Sequence, residues 1–423
     1  SQFIAILKEE LVPALGCTEP IAIAYAGAHA RALLGKIPDR VCIKSSGNII
    51  KNVKSVTVPN SGNMKGIPAA AAIGIIGGNP DKGLEVLADI TEADIIRTKE
   101  FLEQVPCKVS LLDTVASLHF IVEVFAGADN ASVEIIHQHT NIVRTTKNGK
   151  EVMSVPFDPT SANAALTDRS GLSVKKILAF ADTIDLDRVR PILERQIEYN
   201  TRIAQEGLEH RYGINAGANL LKAAEAERAV TVKIRAQAAA AAGSDARMSG
   251  CTLPVVTNSG SGNQGLTASL PVIVFAEEKK LPHDRLLRGL LVSNLIAIHQ
   301  KTRIGRLSAY CGAVSAACGS GAAVTYLAGG SYEQVCETIT NTLAVVSGIV
   351  CDGAKPSCAS KIASSVDAAL NAHYLAMQNR VFQAGEGIVK GDIEKTIAGV
   401  GSVAADGMRE TDKVILRIMV EDD

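Results

Sequence analysis

The chain has 423 residues, a formal net charge of −1 and 47% apolar residues, so it can bury at least one large core, and two are expected. Acidic and basic residues number 44 and 43 without a long run of either sign, and aromatics make up 4% with no Trp, which excludes nucleic acid as an expected partner. Nine cysteines are too few, and an odd number, for a disulfide framework, so they read as free thiols or metal ligands.

Residues 1–10 lack a basic start followed by a long apolar stretch, so no secretory leader is expected there. The most apolar windows, 67–76 and 313–327, are rich in Ala and Gly and fall short of the roughly 20 continuous apolar residues of a membrane span. A cytoplasmic protein without membrane association is the expectation.

Residues 1–35 read as helical, with Thr18 capping a helix whose first turn holds Glu19 and Pro20 and which runs unbroken from Ile21 to Leu34 before Gly35. The texture then turns β-branched, predicting strands over 41–44, 53–58, 108–112, 120–125 and 133–136. Residues 142–146, followed by Asn148-Gly149, predict a hairpin. Helices are predicted over 67–76, 82–87 and 92–104, and residues 156–163 read as a linker. Beyond it helices are predicted over 174–181, 186–211, 216–242, 284–302, 313–327, 332–346, 359–377 and 393–408. The expected fold is α+β: a mostly helical, Ala/Gly-rich C-terminal bundle formed by 1–35 and 165–423, with an inserted α+β domain over 36–158 containing a largely antiparallel sheet.

Three polar loops share one composition: Ser45 to Asn48, Pro59 to Asn63, and Asn258 to Gly265. Glycine lets successive backbone N–H groups turn toward one point, and Ser and Asn add short neutral donors, so such loops suit an anion. Asn48, Ser61, Asn63, Asn258, Ser259, Ser261 and Asn263 are therefore candidate substrate-binding residues. No Gly-Lys-Ser/Thr follows the third loop and it does not fit G-x-G-x-x-G, so a small carboxylate is a better match than a nucleotide. Arg247, among Gly and Ser, either clamps a carboxylate or pairs with Asp245. His139 and Asn141, in a polar break between strands, join the candidates, His139 as acid–base group, donor or plain surface histidine. The histidines form no ligand pair for zinc.

Cys42, Cys107 and Cys336 fall inside apolar runs and read as small buried hydrophobes. Cys17, in Leu15-Gly-Cys-Thr-Glu-Pro20, stands at a helix start, where unpaired N–H groups favour a thiolate and a lowered pKa. It is a candidate base, with a buried spectator as the alternative. Cys311, in Arg306-Leu-Ser-Ala-Tyr-Cys, and Cys351 and Cys358, flanking Asp-Gly-Ala-Lys-Pro-Ser, are soft thiols suited to an iron–sulfur cluster. Cys318, seven residues after Cys311, is an alternative ligand.

These motifs, together with Ser244-Asp-Ala-Arg-Met and Asn258-Ser-Gly-Ser-Gly-Asn-Gln-Gly, resemble the L-cysteine desulfidase family over nearly the whole chain. More distantly, Cys311-Gly-Ala-Val-Ser-Ala-Ala and the later cysteine pair look like the helical domain of iron–sulfur L-serine dehydratases. The resemblance implies a [4Fe–4S] cluster on Cys311, Cys351 and Cys358 whose fourth iron acts as a Lewis acid, with Cys17 as proton acceptor. The implied reaction converts L-cysteine and water to pyruvate, ammonia and hydrogen sulfide without pyridoxal phosphate. A thiolate at Cys17 could instead be a displaceable fourth ligand.

Other readings stay open on the sequence. L-Serine dehydratase differs only in the leaving group. A pyridoxal-phosphate lyase would use the 259–265 loop for phosphate and Lys44 or Lys51 for the Schiff base. A non-catalytic amino-acid-binding protein is a third class. A homodimer is the expected assembly.

Overall fold

Two hydrophobic cores organise the protein in the computed structural model, which describes residues 2–160 and 166–420. The α+β fold is as expected. A six-stranded sheet runs in the order Cys107–Leu111, Arg40–Ser45, His119–Ala126, Asp129–Ile136, Ile142–Lys147, Lys150–Ser154. Only the Arg40–Ser45/Cys107–Leu111 pair is parallel. The last two strands form the hairpin predicted at Asn148-Gly149, both residues having positive φ as a tight primed turn requires.

Helix Thr18–Leu34 shares the sheet's core, together with helix Gly66–Gly77. A Cβ on Gly74 would collide with the Ala24 carbonyl, so the small residues bring the two backbones into contact. This corrects the expected grouping of 1–35. Helix Gln2–Glu10 does join the helical core, but Thr18–Leu34 is buried on nearly all sides in the other one. Strand Pro13–Leu15 between them pairs antiparallel with Pro254–Val256, an element short enough to leave no alternation pattern in the sequence.

The helical core gathers Val174–Thr183, Arg190–Glu209, Val232–Met248, Gly262–Glu278, His283–Ile304, Gly312–Leu327, Tyr332–Val346, Ser357–Ala376 and Ile393–Ser402. Gly319 in Gly312–Leu327 meets the Ser293 carbonyl of His283–Ile304, another backbone-to-backbone approach. Among the described residues no helix is long and apolar enough to cross a membrane.

Several local expectations are corrected. The strand predicted at 53–58 is the end of helix Gly47–Val53 and a turn closed by the Thr57–Lys65 bridge. The helix predicted over 216–242 is two, Ala216–Ala226 and Val232–Met248; Arg228 takes positive φ and Thr231 caps the second. Residues 186–211 divide into a 3-10 turn at Leu186–Arg188 and a helix opened by Pro191. Residues 161–163 of the expected linker, and 1, 165 and 421–423 of the expected helical unit, lie outside the described residues.

Candidate active site

Cys311 and Cys351 are brought side by side by two extended segments. Cys311 N–H donates to Ile349 O at 3.0 Å, Cys351 N–H to Ala309 O at 2.6 Å, and Tyr310 bridges Val350. Cys311 then becomes the N-cap of helix Gly312–Leu327, while Cys358 lies in the first turn of Ser357–Ala376. Between Cys351 and Cys358 the chain turns at Gly353, whose φ of 98° favours glycine and whose Cα faces the Lys51 carbonyl. Lys355 and Lys361 both pair with Asp352; burial pushes this carboxyl up, but the two lysines bring it down to about 2.

Cys17 reaches the same cavity from the other core, delivered by the Pro13–Leu15 strand. It, and not Thr18, is the N-cap of Thr18–Leu34. Thr18 Oγ1 instead donates to Gly260 O at 3.0 Å, fastening this helix start to the Asn258–Ser261 turn. In that turn Ser259 and Gly260 both have positive φ and Asn258 and Ser261 exchange backbone hydrogen bonds. Ser261 then caps helix Gly262–Glu278. A Cβ on Gly260 would come within 2.7 Å of Arg306 Nη1, and one on Gly262 would overlap Arg247 Nε. These glycines are the space into which two guanidinium groups fit.

The cavity is lined by Cys17, Cys311, Cys351 and Cys358 together with His139, Arg247, Ser259, Ser261 and Asn263. Asp245 accepts from the Gly217 amide, and no ion pair joins it to Arg247 among the described residues. The residues missed in the sequence are Glu19, Asn52, Gln264, Lys301, Arg306 and Tyr310, which line the same space. Glu19 and Arg306 belong to motifs already singled out; Asn52 and Lys301 sit in helices with no local sign of a site.

Five expected residues lie elsewhere. Ser61 donates to the Val58 carbonyl of its own turn at 2.7 Å, and Asn63 is exposed beside it. Asn48 lines a second cavity with Lys51 and Asp412. Asn141 donates to Ile136 O. Asn258 is fully buried and anchors the turn by bonding Asn294. Ser, Asn and Gly make ordinary turns and anion nests alike, so composition cannot tell them apart.

The electrostatics revise one expectation. Burial pushes the Cys17 thiol well above its usual range and the Glu19 carboxylate adds to this, although Arg247 opposes it. Desolvation of a fully buried sulfur therefore outweighs the helix start. Cys17 Sγ donates to Glu19 Oε2 at 3.0 Å. Burial raises Glu19 too, but His139, the Cys17 thiol and a backbone N–H bring it down to about 2. His139 Nε2 stands 3.8 Å from Glu19 Oε1, too far for a hydrogen bond.

The thiol wall behaves as a set. Burial pushes Cys311 up to about 12, with Cys351 and Cys358 adding to it, and burial also raises Cys358. Lys301 is drawn down to about 8 by burial, while Cys351 and Cys311 hold it up. No three His, Cys, Asp or Glu side chains among the described residues are arranged for a metal ion. A four-iron cube spreads its cysteine ligands further apart than one ion does, and three soft thiols beside buried cations suit it. Around the cavity, Asn52 Oδ1, His139 Nε2, Arg247 Nε, Asn263 Oδ1, Gln264 Oε1 and Arg306 Nε are buried without a hydrogen-bond partner. Such a concentration of unpaired polar atoms is compatible with a polar ligand in the cavity.

The family described as serine dehydratase alpha chain matches residues 81–417. The UPF0597 protein of Treponema denticola is 58% identical over 422 residues, covering 100% of this chain and 98% of its own. That of Lachnoclostridium phytofermentans is 55% identical, covering 99% of each, and that of Aeromonas hydrophila 40%, covering 99% of this chain and 96% of its own. The match points to a dehydratase-like lyase, and the chain belongs to the serine dehydratase alpha chain family, among its UPF0597 relatives.

Proposed function

We propose that this protein is a β-eliminating lyase that converts L-cysteine and water to pyruvate, ammonia and hydrogen sulfide, dependent on iron–sulfur and independent of pyridoxal phosphate. The observation that carries the reading is the convergence of four motif cysteines, Arg247 and the Ser259–Gln264 turn on one cavity rich in unpaired polar atoms. Neither Lys44 nor Lys51, the lysines expected for a Schiff base, lines the cavity beside the expected phosphate loop, and the lysine that does, Lys301, donates to Arg306 O. Lys44 is half exposed and pairs with Glu123, and Lys51 pairs with Asp412 in the second cavity.

Cys311, Cys351 and Cys358 would hold a [4Fe–4S] cluster, which when bound supplies a Lewis-acidic iron that makes sulfide a better leaving group. Arg247, with its Nε unpaired, offers a fork to the substrate carboxylate. Ser259, Ser261 and Asn263 add neutral hydrogen-bonding groups on the same wall. Cys17 lies where it can take the Cα proton, once its own proton has gone to solvent or along Glu19. Loss of the Cα proton and of sulfide leaves aminoacrylate, which tautomerises and hydrolyses in water.

Anaerobically purified protein is expected to contain iron and sulfide, to show a broad absorbance shoulder near about 400 nm, and to release pyruvate with sulfide from L-cysteine. The family description favours a second reading, L-serine to pyruvate and ammonia. A kcat/KM for L-serine above that for L-cysteine decides for it, and absence of both activities in iron-loaded protein overturns both readings.

A further inference from the structure

An α-amino acid carries two charges into a buried site, and each needs an opposite charge or hydrogen bonds to replace water. Arg247 answers the carboxylate. For the ammonium, the cavity wall holds a single acidic residue among its described members, Glu19. Its cationic neighbours do not use it: Arg306 pairs with Glu10 at 2.9 Å, and Lys301 Nζ donates to Arg306 O at 3.4 Å.

The two oxygens of Glu19 differ. Oε2 accepts from Cys17 Sγ at 3.0 Å and lies 3.2 Å from Thr18 Oγ1, whose single proton is shared with the nearer Gly260 O. From side chains among the described residues, Oε1 has only Asn52 Nδ2 at 3.5 Å and His139 Nε2 at 3.8 Å, both long contacts. A buried carboxylate oxygen with so weak a set of donors is short of a partner. Next to it, Asn52 Oδ1 and His139 Nε2 are themselves unpaired and buried.

We infer that Glu19 Oε1 receives the α-ammonium of the substrate, an assignment that rests on the reading of the cavity as an amino-acid lyase site. Cα is one bond from that nitrogen, and Cys17 sits on the other oxygen of the same carboxylate, so the Cα–H is delivered beside Sγ. The arriving ammonium also offsets the negative charge that helps keep the proton on Cys17. The alternative is a first-turn acid that serves the helix start and is indifferent to the ligand's amino group.

The test compares ligands that differ only in the ammonium, on wild type, Glu19→Gln and Glu19→Asp with matched iron content and circular dichroism. L-Cysteine and 3-mercaptopropionate are followed as KM and inhibition constant; L-alanine and propionate, which have no leaving group, by calorimetry. Glu19→Gln is expected to weaken the amino acids by about 10- to 100-fold and the desamino acids by less than about twofold. Glu19→Asp should keep most of the preference. Equal losses for both ligands, or no loss, overturn the assignment while leaving the lyase reading in place if L-cysteine is still turned over. Failure of wild type to bind or turn over any amino acid overturns both. A Glu19→Gln protein that does not fold transfers the decision to Glu19→Asp, whose retracted carboxylate should trim the preference for L-alanine over propionate, and an unchanged preference with L-cysteine turnover retained refutes the assignment.

Discussion

The Cys17 thiol and the Glu19 carboxylate, two residues apart at one helix start, are joined by a 3.0 Å hydrogen bond in which sulfur is the donor. The proton therefore rests on Cys17, and the thiol becomes an acceptor only when that pairing is altered. Cys17→Ala should retain iron yet lose both turnover and exchange of the substrate Cα–H with solvent deuterium, read by NMR. Loss of iron in Cys17→Ala, with exchange blocked in His139→Ala, would transfer the base role to His139 and make Cys17 a ligand.

Cys311→Ser, Cys351→Ser and Cys358→Ser are each expected to abolish the absorbance shoulder and the bound iron. Cys318→Ser should leave both intact, because Cys318 is buried in the helical core with its sulfur toward Ile339 O and does not line the cavity. Iron analysis of the four variants settles the ligand set.

Lys51 connects the cysteine loop to the C-terminal helix Arg409–Val420. Its ammonium, 1% exposed as a side chain, pairs with Asp412 and donates to Cys351 O at 3.3 Å. Lys51→Ala leaves Asp412 without its cation and should cost about 3 kcal/mol, the size seen when one partner of a buried pair is removed. Faster iron loss in air and a lower Tm are the measurements; an unchanged rate of iron loss would detach Lys51 from the loop.

Gly262→Ala should act through Arg247, since the added methyl occupies the position of Nε. The expected result is about a tenfold or greater rise in KM for L-cysteine, as for a charged hydrogen bond lost, with iron content unchanged. Equal falls in iron and activity would instead indicate that the whole turn has shifted.

His373 gives a pH dependence remote from the site. Burial, with Lys279 nearby, draws it down to about 4, and its Nδ1 lies 2.9 Å from Thr325 Oγ1. The unfolded chain binds this proton at higher pH than the folded one, so stability is full above the ordinary histidine range and falls as pH drops from about 6.5 to about 4. The loss should approach about 3 kcal/mol. Urea denaturation of metal-free protein across that range should show this slope in wild type and a shallower one in His373→Gln.

The α+β class, the hairpin at Asn148-Gly149 and most of the C-terminal helices were legible in the sequence, because β-branched runs, turn residues and Ala/Gly texture are local signals. So was the list of motif cysteines, marked out by the segments around them and by the family resemblance those segments carry. Their convergence was decided only by tertiary structure. The three-residue pairing of Pro13–Leu15 with Pro254–Val256 carries Cys17 to the Asn258–Ser261 turn across more than half the chain, and no periodicity announces it. The same holds for the choice among three similar polar loops, where only the one packed against Thr18 and the guanidinium groups faces the thiols. The state of Cys17 was likewise out of reach: a helix start favours the thiolate, but the burial and the carboxylate that reverse this come from packing.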